Sequence, residues 1–361
     1  MSKQYPYDLS VFIGRFQPLH LGHEELIRKC FEVAHNTLIL IGSSTSSRSF
    51  RNPFTYKERR EMIQNCIKDA VGFENIGSLL IAGVPDSAYN FTDWLLRVKK
   101  EIQKATEKIS VLPKNPKIAI IGHFKDDTSY YLDYFPEFTF IPVDATANGV
   151  GATEIREKYF SKANYESELI KHDSFTPYVS ESIYSFLWSF AKTPEFDFLK
   201  QESEFIQSYK KQWSTAPYPP TFVTTDSIVV CMGHVLVIKR GRNPGKGYYA
   251  LPGGFLEQTE SIQEGCLREL KEETHIDLPK RYLEAYIKDS HVFDHPLRDP
   301  RGRTITHAFL FDLDMKTFPT IRADDDASEV LWLPLHKLEE YEPLFFLDHA
   351  QIVRYFLNRM R

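Results

Sequence analysis

Short apolar runs separated by stretches of helical spacing fill the first half of the chain. Positions 9–13, 37–41, 78–82 and 117–121 are rich in Leu, Ile and Val, the pattern of strands buried on both faces. Between them, apolar residues recur at helical intervals over 22–34, 56–70 and 92–106. Such alternation predicts a Rossmann-like, doubly wound α/β domain: a parallel sheet with helices on both faces. Ligands in these sheets sit beyond the carboxyl ends of the strands. Helical spacing returns over 181–190.

The pattern then changes. Residues 193–213 are polar with helical spacing, and Ala216-Pro217-Tyr218-Pro219-Pro220 forms a stiff break. We read 1–190 as one domain, 191–220 as a linker, helical and then Pro-rich, and 221–361 as a second domain. In the second, 227–230 and 234–239 predict strands paired around Gly233, followed by strands over 282–292 and 304–313 and a helix over 347–361. The expectation is an α/β/α domain with a mixed sheet.

Length and charge agree with that division. The 361 residues suffice for two domains that each bury a core. Net charge is −5 with acids and bases interspersed, so no basic footprint for nucleic acid stands out. No apolar run approaches a membrane span, and residues 1–10 lack a signal-like apolar core. The scattered cysteines Cys30, Cys66, Cys231 and Cys266 form no close pair, which predicts a reduced, cytoplasmic protein. A homo-oligomer is left open.

The strongest chemical signal is Gly253-Gly254-Phe255-Leu256-Glu257-Gln258-Thr259-Glu260, continuing into Arg268-Glu269-Leu270-Lys271-Glu272-Glu273. On a helix starting near Ser261, Glu269, Glu272 and Glu273 share one face, where like charges repel. A solvated Glu-rich surface helix is the plain alternative. A hard divalent cation among the carboxylates, with substrate phosphates completing its shell, accounts for the repulsion better. The spacing from Gly254 through Glu260 to Glu273 resembles the Nudix box of enzymes that cleave nucleoside-linked pyrophosphates. That likeness implies Mg2+, with Mn2+ as an alternative, on Glu269 and Glu273. Glu272 would act as ligand or base, and Glu260 and Arg268 would form a supporting ion pair. His275 departs from the box, which has a glycine there. That glycine ends the helix with positive φ, a region His enters more readily than most residues.

A second motif opens the first helix. Gly14-Arg15-Phe16-Gln17-Pro18-Leu19-His20-Leu21-Gly22-His23 follows the first strand directly. A glycine there admits a phosphate close to the backbone, and the helix N-terminus offers it free N–H groups. The run resembles the HxGH nucleotidyltransferases, and within them the archaeal-type nicotinamide mononucleotide (NMN) adenylyltransferases. The likeness covers roughly 8–190. It implies transfer from ATP to NMN, with His20 and His23 stabilising charge at the α-phosphate and Gly14, Arg15, Phe16 and Gly22 shaping the nucleotide site. Thr153 and Arg156 would grip the outer phosphates, although Gly151 or Ala152 replaces the motif's usual serine. Lys125 would meet nucleotide, Tyr89, Asn90 and Trp94 the nicotinamide side, and Arg48 or Arg51 phosphate. For Trp94 a core role is equally compatible with the pattern.

In the second half, Arg298-Asp299-Pro300-Arg301-Gly302-Arg303 is dense in phosphate-binding side chains. With the box, it resembles ADP-ribose pyrophosphatases, including those fused to NMN adenylyltransferases, and implies ADP-ribose contacts from Gly254, Arg298, Arg301 and Arg303. Glu329, after the acidic run 324–326, is a further candidate for a base or a metal contact. The resemblance thus implies a bifunctional enzyme acting on ATP, NMN and ADP-ribose. Two alternatives keep the folds: another nucleotidyl acceptor with NADH or sugar-nucleotide hydrolysis, or a Nudix half that senses ADP-ribose without cleaving it.

Overall fold

The computed structural model describes residues 4–71, 77–123, 134–143, 151–161, 175–324 and 327–360. The chain divides into two compact units, Met1–Lys200 and Gln201–Arg361. Among the described residues, no helix is long and apolar enough to cross a membrane.

The first unit is built on strands β1 (Tyr7–Gly14), β2 (Ala34–Ile41), β3 (Leu79–Gly83), β4 (Ile118–Gly122) and β5 (Thr139–Pro142). All pair in parallel, in the order β3-β2-β1-β4-β5. Helices α1 (Leu21–Val33), α2 (Tyr56–Val71), α3 (Phe91–Lys108), α4 (Ala152–Tyr159) and α5 (Glu181–Phe190) complete it. Successive strand side chains point to opposite faces, so each central strand feeds two cores. Phe12 and Ile39 pack with Leu26, Ile63 and Ile183, whereas Val11 and Leu40 pack with Val98 and Ile102. Strand order reverses at β1, which places the switch-point crevice beside Gly14. Strand β5 has no sequence signal: its four residues are half-buried at best and end in proline.

In the second unit, β6 (Thr221–Cys231), β7 (His234–Arg240), β8 (Tyr249–Ala250) and β9 (Gly253–Phe255) precede α7 (Ile262–Thr274). Helix α8 (Lys280–Ala285), β10 (Ile287–Phe293), β11 (Arg303–Leu313), β12 (Ala327–Pro334), α9 (Leu338–Tyr341) and α10 (His349–Arg359) follow. The sheet order is β10-β11-β6-β7-β12, with β8 on β7 and β9 on β6. It is mixed, because β6 and β11 run parallel while β10, β12 and the β6–β7 hairpin pair antiparallel. Leu267 and Leu270 of α7 pack against Val229, Leu236 and Phe311 of the sheet.

One element differs from the sequence reading. The strand expected from 282 starts at Ile287, because Lys280–Ala285 is helical with Pro279 at its N-cap. That segment is made of helix-favouring residues, and burying Leu283 satisfies its one apolar side. The helical part of the segment read as a linker is α6 (Pro194–Gln212), as expected, and the division between units falls inside that helix. Phe196 and Leu199 belong to the first core, while Tyr209 and Trp213 pack on Phe222 of β6.

Candidate functional sites

At the end of β1 a side chain on Gly14 would meet the Phe16 ring at 2.9 Å. Phe16 turns the chain with φ 54 and is fully buried. Gln17 locks the turn: its Nε2 donates to Phe54 O at 2.9 Å and its Oε1 accepts from Phe54 N at 3.0 Å. The chain then presents His20 as the N-cap of α1, with Nδ1 accepting from Gly22 N at 3.2 Å. An accepting Nδ1 leaves the ring proton on Nε2. The His23 ring lies 3.9 Å away, centroid to centroid, and packs on Phe16. Both imidazoles therefore stand at a helix N-terminus, where an anion is favoured.

Arginines gather at this end of the sheet. Arg156 is buried, with Nη1 donating to Gln17 O (2.7 Å) and Nη2 to Thr153 Oγ1 (3.0 Å). Its Nε is buried without a hydrogen-bond partner, a donor still owed an acceptor. Burial pulls its pKa down to about 10, and the positive charges of Arg15 and Arg51 add to the fall. Arg51 is likewise lowered to about 10 by burial and then by Arg15. Cations crowded closely enough to disfavour one another's charge make a site that a polyphosphate would relieve. The N-cap of α4, Gly151, makes no side-chain cap, in keeping with the serine missing from that motif.

Sequence reading missed Arg59. Fully buried, it donates to the carbonyls of Arg15 (2.8 Å), Gly42 (2.7 Å) and Ser43 (2.9 Å), tying together the loops after β1 and β2. In sequence it sits among Lys57, Glu58 and Arg60, and nothing local marks it as buried. Arg48 also differs from expectation. It pairs with Glu58 through two 3.0 Å bonds and donates to Pro53 O, so it braces the loop, while Arg51 joins the arginine cluster. Asn90 caps α3 by accepting from Asp93 N at 3.0 Å. Trp94 stacks on Phe91 and leans on the core around Val98. Lys125 lies outside the described residues.

In the second unit, Ser261 and Glu264 form a capping box that starts α7, worth about 1 kcal/mol. His275 closes the helix at φ 42, ψ 34, in the left-handed region expected for the box glycine, and its ring pairs with Asp324. Along α7 the glutamates separate. Glu273 is buried, and its Oε2 accepts from Gly253 N at 2.9 Å. Glu269 faces Gly254, where a Cβ would lie 2.5 Å from its Oε1, so only glycine leaves room for that carboxylate. Glu272 is largely exposed. Arg268 gathers the set: it bonds both oxygens of Glu260 (3.0 and 2.7 Å), Glu269 (2.8 Å), Glu272 (2.9 Å) and Phe255 O (3.2 Å).

Burial raises the pKa of Glu273 to about 8, with the charge of Glu269 adding to it, and burial likewise raises Glu269. Two adjacent carboxylates raised by burial, with space kept by a glycine, fit a hard divalent cation. Among the described residues, no three His, Cys, Asp or Glu side chains converge as a preformed cage. The pair would leave most of an octahedral shell to water and substrate oxygens.

Comparison with known proteins bears directly on both sites. The NUDIX domain family matches residues 221–356, and the cytidylyltransferase-like family residues 11–158. A crystal structure of a bifunctional NMN adenylyltransferase/ADP-ribose pyrophosphatase from Francisella tularensis is 35% identical. The likeness covers 98% of this chain and 100% of that one, with a TM-score of 0.87. This chain belongs to that bifunctional family. Another crystal structure of the Francisella protein, complexed with AMP and a manganese ion, aligns with a TM-score of 0.86. The nicotinamide/nicotinic acid mononucleotide adenylyltransferase of Acinetobacter baylyi is 32% identical over 163 residues, 45% of this chain and 81% of the relative. The ADP-ribose pyrophosphatase of Methanocaldococcus jannaschii is 36% identical over 136 residues, 38% of this chain and 73% of the relative.

In this member of the bifunctional family, the arginines expected at ADP-ribose all have carboxylate partners. Arg298 is buried in a two-pronged pair with Asp348 (3.0 and 3.0 Å), which makes it a brace to the start of α10. Arg301 pairs with buried Asp299 at 2.7 Å and lies 5.1 Å over the Phe255 ring. Arg303 bonds Asp294. Glu329 stands 3.7 Å from Lys239.

The Asp299–Arg301 pair sets an acid limit. Burial alone would raise Asp299, but Arg301 and the hydroxyl of Thr304 outweigh it and hold the pKa below the ordinary value. A depressed carboxylate contributes stability above its unfolded pKa of about 3.9, and loses it as pH falls through the folded value. Asp299→Asn should destabilise the second unit by about 3 kcal/mol at pH 7. Thermal melts should show the gap to wild type closing below about pH 4. A gap constant down to pH 3 contradicts the assignment.

Proposed function

We infer that the first unit transfers an adenylyl group from ATP to NMN, giving NAD and pyrophosphate, and that the second hydrolyses ADP-ribose to AMP and ribose 5-phosphate. The observation that carries this reading is the presence, in one chain of this family, of both an arginine-lined helix N-terminus and a buried carboxylate pair.

In the first reaction an NMN phosphate oxygen attacks the α-phosphorus of ATP as the bond to pyrophosphate breaks. No side-chain nucleophile is required, only alignment and charge stabilisation. The Nε2–H of His20 donates to the α-phosphate, with His23 beside it. Arg156, Thr153, Arg15 and Arg51 hold the outer phosphates, and the unpaired Nε of Arg156 supports that placement.

For the second reaction, Glu269 and Glu273 would hold Mg2+, with Mn2+ as an alternative. When bound, the ion polarises the pyrophosphate and lowers the pKa of a water. Gly253 N holds one oxygen of Glu273, and the other would be the one to meet the ion. Glu272, exposed on the same helix, is placed to assist as ligand or base. Arg268 keeps Glu260 and Glu269 oriented rather than touching substrate. The buried free thiols support a cytoplasmic enzyme.

Incubation with Mg2+, NMN and ATP should yield NAD, and incubation with Mg2+ and ADP-ribose should yield AMP, both followed by chromatography. Turnover of other nucleotides with neither product would sink the substrate assignment.

A further inference from the structure

Three consecutive residues carry the chain into the box, each held by a hydrogen bond from outside the segment, and Gly253 also pairs with Asp226 where β9 joins β6. Strand β8 ends at Ala250 and β9 begins at Gly253, so Leu251 and Pro252 lie outside the ladders. Pro252 O accepts from Ser227 N at 2.8 Å, and Gly253 N donates to Glu273 Oε2 at 2.9 Å. Leu251 is buried at 1% exposure, which denies its N–H a water partner. That N–H donates instead to Nδ1 of His349, the first residue of α10, at 3.0 Å. Gly253 itself runs close against β6, where a Cβ would lie 2.0 Å from Thr225 O, so only glycine fits there.

The chemistry of the ring suits this task. A backbone N–H can bond Nδ1 only if that nitrogen is unprotonated, so the proton sits on Nε2. Burial lowers the pKa of His349, and its place at a helix N-terminus also disfavours a positive ring. The Asp226 carboxylate lies 3.9 Å from Nδ1, but its other oxygen accepts from Thr306 Oγ1 at 2.5 Å.

We propose that His349 is a positioning residue for ADP-ribose hydrolysis. By accepting the Leu251 N–H it sets the Leu251–Gly253 segment, and through Gly253 N it sets the orientation of the Glu273 carboxylate. The proposal rests on the hydrolase reading above, and its tests separate the two.

In the full chain, His349→Ala should lower kcat for ADP-ribose about 10- to 100-fold with little change in KM. His349→Asn, whose Oδ1 can replace Nδ1 as acceptor, should restore most of it, and NAD formation should stay at wild-type level in both. A Mn2+ titration followed by electron paramagnetic resonance needs no substrate, and should show weaker binding in the alanine variant and recovery in the asparagine variant. Nitrogen NMR of the wild-type protein should find Nδ1 unprotonated near pH 7. A protonated Nδ1, an alanine variant as active as wild type, or equal losses in both variants would overturn the proposal. Wild type that binds Mn2+ but leaves ADP-ribose intact would instead count against the hydrolase reading.

Discussion

Glu273→Gln is expected to abolish AMP release from ADP-ribose while leaving NAD synthesis unchanged. The substitution keeps an oxygen to accept from Gly253 N and nearly the same volume, so the helix and its packing persist. What disappears is the negative charge facing the site. Losing about 4 kcal/mol of transition-state stabilisation corresponds to a fall in kcat on the order of 10^3-fold. Stability should move the other way or not at all, because burial already raises this carboxylate to about 8. Removing a disfavoured buried charge does not weaken a fold. Steady-state kinetics and a thermal melt on the same preparation check both halves. Activity within tenfold of wild type would remove Glu273 from the metal site.

His20→Ala should produce the complementary loss: NAD formation falls by about 10^2- to 10^3-fold and ADP-ribose hydrolysis is untouched. The alanine removes two things, the cap on Gly22 N and the Nε2–H that the proposed reaction would turn on the α-phosphate. His20→Asn separates them. Asparagine caps a helix well, so it should recover the roughly 1 kcal/mol of stability without recovering the rate. If it restored NAD synthesis as well, His20 would be a cap and no more.

How much of this was legible in the sequence depends on the distance over which each signal acts. Apolar runs and helical spacing are local, and β1 to β4 and the helices between them fall where the pattern put them. The box spacing is local too, so the capped helix from Ile262 and the left-handed His275 follow from it. Short edge strands such as β5, and the helix at Lys280–Ala285, escaped because half-exposed segments carry no buried pattern to read.

Charged residues were the harder case. An arginine looks the same in sequence whether its partner is a phosphate, a carboxylate or a carbonyl. Arg48 and Arg298 read as phosphate ligands, and their partners are Glu58, ten positions on, and Asp348, fifty positions on. Arg59 carried no signal in the sequence, and it is the buried tie between two loops. His349 gave no signal at all, since its partner is a backbone N–H 98 residues away.

The sequence by itself determined two α/β domains and the chemistry of each, because both motifs concentrate their reactive groups within a few turns of chain. Tertiary structure alone decided which cations gather at the end of the first sheet and which brace the fold. It also divided Glu269 and Glu273, turned inward beneath Gly253 and Gly254, from Glu272, left in solvent. Burial and long-range partners set the charge and direction of such groups, and neither is a property of any local stretch of chain.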